Sequence, residues 1–306
     1  MDPKLRLITR AVLVYNPAAR RLRKQIDRKL RQIVAAFTAE GIHVDLAPTK
    51  GPGDAGLISK DAVLSHQLII AYGGDGTIHE VISGMANSSV PLLVVPGGTA
   101  NVLAKELGLS GDLSRAVNLV KTGLIRRISL GKTSDRYFIL MAGIGVDAAV
   151  VAAFSQRMKR HFGEGAFWFA GLQQLARYSF EPFNLLVDGV PYTATFAVIS
   201  RVKNYGGPLQ LTPHADLLSS EFAICLFQSV NRWRYLQYLR KALGGEHATL
   251  TDVYLLKGRI VQASGSARTR VQLDGEIAGG LPQTFTIQDE ALSLIVPPTH
   301  STDLNV

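Results

Sequence analysis

Apolar and polar residues follow two different rhythms along this chain. Up to about residue 122, short apolar runs alternate with stretches of helical spacing. Leu68–Ala71 has the length of a strand buried on both faces, Arg10–Tyr15 reads as a buried first strand, and Ile42–Ala47 and Pro91–Val95 suit further strands. Leu22, Ile26, Leu30, Ile33, Val34 and Phe37 place one apolar stripe on a helix from Ala18 to Phe37. Further helices are predicted over Asp54–Leu64, Thr99–Leu107 and Asp112–Thr122. Strand–helix alternation with crossovers of this length predicts an α/β domain with a parallel layered sheet. Near Ile125 the rhythm changes to short β-type runs, among them Tyr137–Met141, Tyr192–Ser200, Phe222–Phe227, Arg270–Leu273, Thr284–Ile287 and Leu292–Val296. Turn pairs such as Asp188-Gly189 separate many of them. A helix-rich insertion is expected over Ala148–Tyr178 and a shorter helix over Arg232–Leu243. The second region therefore reads as a mainly antiparallel β-sandwich C-terminal domain. The expected division is 1–127, 128–298 and a tail over 299–306.

Composition narrows the picture. A chain of 306 residues, 47% hydrophobic and 19% charged, is a globular protein with room for two cores. Its one cysteine, Cys225, sits inside an apolar run and reads as a core residue. The expected compartment is the reducing cytoplasm. The most hydrophobic window, Phe138–Phe154, contains Gly143, Gly145 and Asp147 and falls short of the ~20 apolar residues of a spanning helix. The formal net charge of +9 is concentrated at one end, where ten Lys or Arg within residues 1–31 stand against Asp2 and Asp27. An anionic partner follows: a nucleotide, an acidic lipid surface or a nucleic acid. Arg21, Arg23, Lys24, Arg28 and Arg31 lie off the apolar stripe, as a solvated face or one that meets anionic headgroups.

The most informative stretch is Leu68–Ile82, LIIAYGGDGTIHEVI. An apolar strand gives way to Gly73, Gly74, Asp75 and Gly76, and helical spacing resumes at Ile78, Val81 and Ile82. Strand, glycine loop and helix make a cradle in which backbone amides and the helix dipole face an anion. A carboxylate there repels a phosphate unless a cation stands between, so Asp75 points to magnesium-nucleotide chemistry. The alternative is a turn in which Asp75 caps the helix. The loops at Asn16-Pro17, Gly73–Thr77 and Gly97–Asn101 all follow strand ends, the edge at which open α/β sheets bind ligands.

Gly73-Gly74-Asp75-Gly76-Thr77 with Ile78, His79 and Glu80 resembles the glycine loop of the diacylglycerol kinase family of lipid kinases, which is related to sphingosine and ceramide kinases and, more distantly, NAD kinases. Asn16-Pro17, Pro96-Gly97-Gly98-Thr99-Ala100-Asn101 and Asp274-Gly275-Glu276 occur in the family's order and cover nearly the whole chain. The resemblance implies an NAD kinase-like first domain binding ATP with Mg2+, and a β-rich second domain binding a lipid, with the nucleotide between them. It implies nucleotide contacts from Asn16, Thr49, Gly73, Gly74, Asp75, Gly76, Thr77, Glu80, Gly98, Thr99 and Asn101. Asp274 becomes the candidate general base, with Asp75 as its rival, and Glu276 a metal or network partner. Asp75 and Glu276 are the carboxylates expected near the catalytic magnesium. Without the resemblance, Asp274-Gly275 reads as a hairpin turn. Asp147, in Gly143-Ile144-Gly145-Val146-Asp147, is expected to orient substrate or metal or to cap the following helix.

Two positions depart from the family pattern. Ala18-Ala19-Arg20-Arg21 follows Asn16-Pro17 where small residues and a glycine are usual. Leu218-Ser219-Ser220 stands where an acidic-Gly pair follows Leu211-Thr212-Pro213-His214-Ala215, so a structural magnesium of the second domain is not expected. The reading is an ATP-dependent kinase acting on a hydroxyl of diacylglycerol or a related lipid at the membrane surface. It would be cytoplasmic, with peripheral contact at the inner, anionic membrane face and no nucleic-acid partner; a homodimer is left open. Ala166–Tyr178, rich in Phe and Trp, could shield acyl chains or simply pack in a core. The rivals are a kinase of a soluble substrate such as NAD and a non-catalytic nucleotide or lipid sensor.

Overall fold

The computed structural model describes residues 5–18, 26–109, 113–153, 178–205 and 209–298. The chain forms two compact units, one of Met1–Ile128 with Glu290–Val306 and one of Ser129–Asp289. The first unit runs β1 (Arg10–Tyr15), α1 (Ile26–Thr38), β2 (His43–Pro48), α2 (Asp54–Ala62), β3 (Leu68–Gly73), α3 (Asp75–Met85), β4 (Pro91–Pro96), α4 (Val102–Glu106) and α5 (Leu113–Thr122). The chain then continues through β5 (Leu124–Thr133), β6 (Arg136–Phe138), β7 (Met141–Gly145), α6 (Val146–Ala153), β8 (Phe183–Val187), β9 (Val190–Ala194) and β10 (Phe196–Ser200). It ends with β11 (Phe222–Phe227), α7 (Arg232–Leu243), β12 (Val253–Gly258), β13 (Ile260–Ser264), β14 (Arg270–Leu273), β15 (Glu276–Gly280) and β16 (Gln283–Val296).

In the first unit the strands lie in the order β2-β1-β3-β4 and all pair in parallel. Every residue of β3 is buried, which is why that strand reads as an unbroken apolar run. α1 turns Leu30, Ile33 and Phe37 inward, as the stripe predicts; Leu22 and the basic residues Arg21, Arg23 and Lys24 lie outside the described residues. The helix expected from Thr99 begins later, at Val102, because Asn101 takes a left-handed backbone (φ 47°) and holds Thr99 and Ala100 in the loop. The last residues of β16 return to this sheet, Ser293 and Leu294 pairing in parallel with Pro91 and Leu92.

The second unit is antiparallel throughout. One sheet has the order β12-β11-β10-β7-β14-β15, and β16, β13, β8 and β9 pair successively in another. Side chains of both meet in a core that includes Phe138, Ile144, Phe183, Phe222, Val261, Leu273 and Phe285. Phe138 stacks on Phe222 at 5.6 Å and meets Phe285 edge-on at 6.3 Å. Truncating such an aromatic to Ala costs about 3–5 kcal/mol. Cys225 is buried in β11, and burial pushes its thiol up, as suits a core residue.

Tyr192–Ser200, one run in the sequence, breaks into β9 and β10 at Thr195. The Thr195 hydroxyl donates to the carbonyls of Phe227 and Ser229 and anchors the break. Conversely, Thr284–Ile287 and Leu292–Val296 belong to one strand, whose exposed Asp289 and Glu290 interrupt the apolar pattern. Of the insertion expected over Ala148–Tyr178, α6 is described as far as Ala153, and most of Ala166–Tyr178 lies outside the described residues.

Candidate functional site

The parallel register of the first unit brings the strand ends together. Tyr15, Tyr72 and Val95 are aligned across β1, β3 and β4, and Pro48 pairs with Tyr15. Asn16, Thr49, Gly73–Thr77 and Gly97–Asn101 therefore leave the sheet at one edge, where ligands of open α/β sheets gather. A cavity of about 360 Å³ lined by Ile8, Gln67, Pro91 and Ile125 lies at the start of the same strands, away from these loops.

The two glycine loops touch backbone to backbone. The Gly97 amide donates to the Gly73 carbonyl at 2.8 Å. A Cβ on Gly98 would lie 2.5 Å from the Gly74 Cα and 2.9 Å from the Asn101 Oδ1, so only glycine fits there. Asp75 ties the loops a second time, its Oδ1 accepting from the Val102 amide at 2.7 Å, the first amide of α4. Its carboxylate thus serves α4 from across the loop pair. The first bond of α3 is Ile78 N–H to the Gly74 carbonyl. The amides of Gly76 and Thr77 precede it, at the positive end of the helix dipole, and are donors of the kind a phosphate takes.

The other expected nucleotide residues have visible local tasks. Asn101 is buried, and its side chain closes on its own loop: Oδ1 accepts from Gly98 N at 2.8 Å and Nδ2 donates to the Gly98 carbonyl at 3.0 Å. Glu80 accepts from the amides of Gly53 (2.8 Å) and Ala55 (3.2 Å) and so caps α2. Asn16 accepts from Ala18 N at 2.9 Å in an Asx turn. The buried Thr49 donates its amide to the Tyr15 carbonyl, and Thr99 is exposed. Arg20, a departure from the family pattern, lies outside the described residues.

Asp274-Gly275 forms the two-residue turn of the β14–β15 hairpin, with φ of 48° and 86°. The turn aims the Asp274 carboxylate back at the segment entering β7. Oδ2 accepts from the Ile139 amide, and Oδ1 from those of Leu140 and Met141, each at 2.9 Å. The Asp274 amide returns a bond to the Met141 carbonyl at 2.9 Å. Glu276, half exposed, lies 3.7 Å from Arg136.

Asp147 does not cap α6 through its side chain. The carboxylate is buried and receives Gln272 Nε2 at 2.6 Å and the Tyr205 hydroxyl. Gln272 Oε1 in turn accepts from Gly275 N at 2.7 Å, which links Asp147 to the turn carrying Asp274. A Cβ on Gly143 would strike the Asp147 Oδ2 at 1.7 Å, so that glycine makes room for the carboxylate. Burial holds the Asp147 carboxyl above the ordinary Asp range, against the opposing pull of Tyr205 and Gln272. Sequence reasoning missed Gln272 and Tyr205, since neither belongs to a motif.

Sequence also gave no sign of Arg201, which is fully buried and, among the described residues, bonds to carbonyls rather than to a carboxylate. Its guanidinium donates to the carbonyls of Glu221 (2.9 Å), Leu217 (2.7 Å) and Ser129 (3.2 Å), and burial lowers its pKa to about 10. It therefore holds both ends of the Leu218-Ser219-Ser220 turn.

Among the described residues no three His, Cys, Asp or Glu side chains cluster to hold a metal. Mg2+ in phosphoryl-transfer sites is commonly held by one or two carboxylates together with substrate phosphates, and Asp75 beside the loop amides fits that donor set. No helix among the described residues is long and apolar enough to cross a membrane.

Comparison with known proteins agrees with this arrangement. Residues 10–133 match the diacylglycerol kinase catalytic domain, and residues 141–296 match the YegS C-terminal NAD kinase β-sandwich-like domain. The chain is 28% identical to a diacylglycerol kinase of Bacillus subtilis (strain 168), over 97% of this chain and 99% of that one. It is 26% identical to that of Staphylococcus carnosus (strain TM300), over 94% and 95%. A crystal structure of a diacylglycerol kinase from Bacillus anthracis strain Sterne has the same fold, with a TM-score of 0.75 at 22% identity over 96% of this chain and 99% of that one. With a parallel α/β first unit carrying the paired glycine loops and an antiparallel β-sandwich carrying the Asp-Gly-Glu hairpin, the chain belongs to the diacylglycerol kinase catalytic domain family.

Proposed function

We propose that this protein transfers the γ-phosphoryl group of ATP to a hydroxyl of diacylglycerol or a closely related lipid. The observation that carries the reading is the Gly74–Gly98 contact, braced by Asp75, at the sheet edge where open α/β sheets take their ligands. Phosphoryl transfer is mostly positioning and charge stabilisation, so a rigid backbone cradle supplies much of what the reaction needs. In this reading the amides of Gly74–Thr77 and the α3 dipole hold the phosphates. Magnesium, when bound, would screen their charge and polarise the transferred group, with Asp75 beside it. Asp274 accepts the proton of the lipid hydroxyl, and Glu276 supports it from the next strand.

A second assignment of the base has its own support. The Asp274 carboxylate already receives three backbone amides, from Ile139, Leu140 and Met141. On that ground Asp75 remains the rival base. The substrate reading is tested by following label from γ-labelled ATP into vesicles containing diacylglycerol, monoacylglycerol, ceramide or sphingosine, with NAD as the soluble acceptor. Label in a glycerolipid, dependent on Mg2+, is expected. Label in NAD alone would replace the lipid with a soluble acceptor, and no label in any acceptor would favour a nucleotide or lipid sensor.

A further inference from the structure

Helix α7 presents a face that the second unit does not cover. Its sequence, RWRYLQYLRKAL, contains no acidic residue. Its inner side is fixed at several points. Tyr235 stacks on Phe180 at 3.8 Å and its hydroxyl meets Thr195 Oγ1 at 2.8 Å. Tyr238 packs on Phe227 at 4.9 Å and donates to Asp252 at 2.6 Å. Arg234 adds two bonds to the same carboxylate, at 2.9 and 2.7 Å. The Asn231 side chain caps the helix by accepting from the Trp233 amide.

With the inner side so fixed, the opposite side must face outward. Trp233 is 72% exposed, Leu236 42% and Leu243 50%, and Val230 stands exposed just before the cap. At 100° per residue, Trp233, Leu236, Arg240 and Leu243 fall within one quadrant of the helix. Exposed Arg232 borders that quadrant, and exposed Arg240 lies within it. Other exposed large apolar residues of this unit, such as Leu186, Tyr254 and Ile277, come from separate strands. Grouped exposed apolar side chains of this kind mark a contact surface.

We infer that α7 is the element by which the second unit rests on an anionic bilayer surface. The aromatic and leucine side chains would enter the boundary between headgroups and acyl chains, with Arg232 and Arg240 at the lipid phosphates. The charge pattern selects this occupant: an amphipathic helix with basic residues and no acids suits an anionic interface. A second copy fits less well, because a two-fold contact would set Arg240 of this stripe near its own equivalent. The assignment rests on the lipid-kinase reading only for its purpose, which is to bring the unit to a membrane-borne hydroxyl.

The chain has two tryptophans, so Trp168→Phe leaves Trp233 as the sole reporter. The full-length Trp168→Phe protein is titrated with phosphatidylcholine vesicles with and without phosphatidylglycerol, at low and high salt. Trp233 emission should move to the blue and be quenched by brominated acyl chains, only when phosphatidylglycerol is present and more strongly at low salt. Leu236→Ser with Leu243→Ser should lower vesicle binding about tenfold or more. It should keep parent activity on substrate presented in detergent micelles. Unchanged Trp233 emission while the protein sediments with phosphatidylglycerol vesicles would overturn the inference. So would a concentration-dependent dimer that the double-serine variant abolishes. If the parent binds through Trp233 yet phosphorylates no lipid, the docking surface stands and the substrate reading falls.

Discussion

The two units build their candidate sites in opposite ways. In the first, the site is made by removing side chains: Gly98 lies so close to Gly74 that a single methyl would collide with backbone, and the donors offered to a phosphate in the proposed reading are amides. In the second, the site is made by adding side-chain bonds across long stretches of chain. Asp274 gathers three amides about 135 residues away, and Asp147 reaches the same turn through Gln272. A backbone cradle binds any phosphate of the right shape and tolerates little substitution. A side-chain network can place one carboxylate at one hydroxyl, and it is open to electrostatic tuning.

The largest expected effect is on the cradle. Gly98→Val forces the Gly74 backbone away and should weaken ATP binding by on the order of 100-fold or more with an unchanged circular dichroism spectrum. Gly74→Ala places its Cβ 3.4 Å from Gly98 Cα, an ordinary contact, and should weaken it far less. Calorimetric titration of the two variants sharpens the contrast, and equal losses would remove the special place given to the Gly98 contact.

In the second unit the network should reveal itself through pH. Burial raises the Asp147 carboxyl above its usual value of 3.8. Its proton is held more tightly in the folded chain than in the unfolded one, so the stability it contributes is full below that value and is lost as pH rises through the folded one. Asp147→Asn abolishes this titration, so urea midpoints of the parent should fall relative to the variant from about pH 4 toward neutrality. Parallel profiles would mean that the carboxyl ionises in the folded protein as readily as in water.

The smallest expected effect concerns the basic side of α1, where Arg28 and Arg31 are exposed. Replacing both with Gln should weaken binding to anionic vesicles at low salt by about threefold at most, and by less at high salt. A loss as large as that from the α7 leucines would move the principal membrane contact to the first unit.

This contrast also explains what could be read from the sequence. Strands β1, β3 and β4 are buried along most of their length, and a glycine loop is conspicuous because nothing else suits it, so these strands and their loops were legible. The task of Glu80 was not, because capping α2 depends on a helix 25 residues earlier. The unity of β16 was hidden by Asp289 and Glu290, which interrupt its apolar pattern. In the second unit the Asp274-Gly275 turn announced itself by residue type, but its amide partners at Ile139–Met141 carry no side-chain signature. Gln272 and Tyr205 look like ordinary polar residues until the fold sets them around Asp147.

The most direct test of the account compares Asp274→Asn with Asp75→Asn in single-turnover phosphoryl transfer, with ATP affinity and thermal melting measured alongside. In the proposed reaction, phosphate binding belongs to the first unit and proton acceptance to the second. Asp274→Asn should therefore bind ATP like the parent, remain folded and transfer phosphate about 100-fold or more slowly. Asp75→Asn should raise the ATP requirement together with any loss of rate. Normal turnover by Asp274→Asn, beside an Asp75→Asn protein that binds ATP and is inactive, would contradict the account and make Asp75 the base.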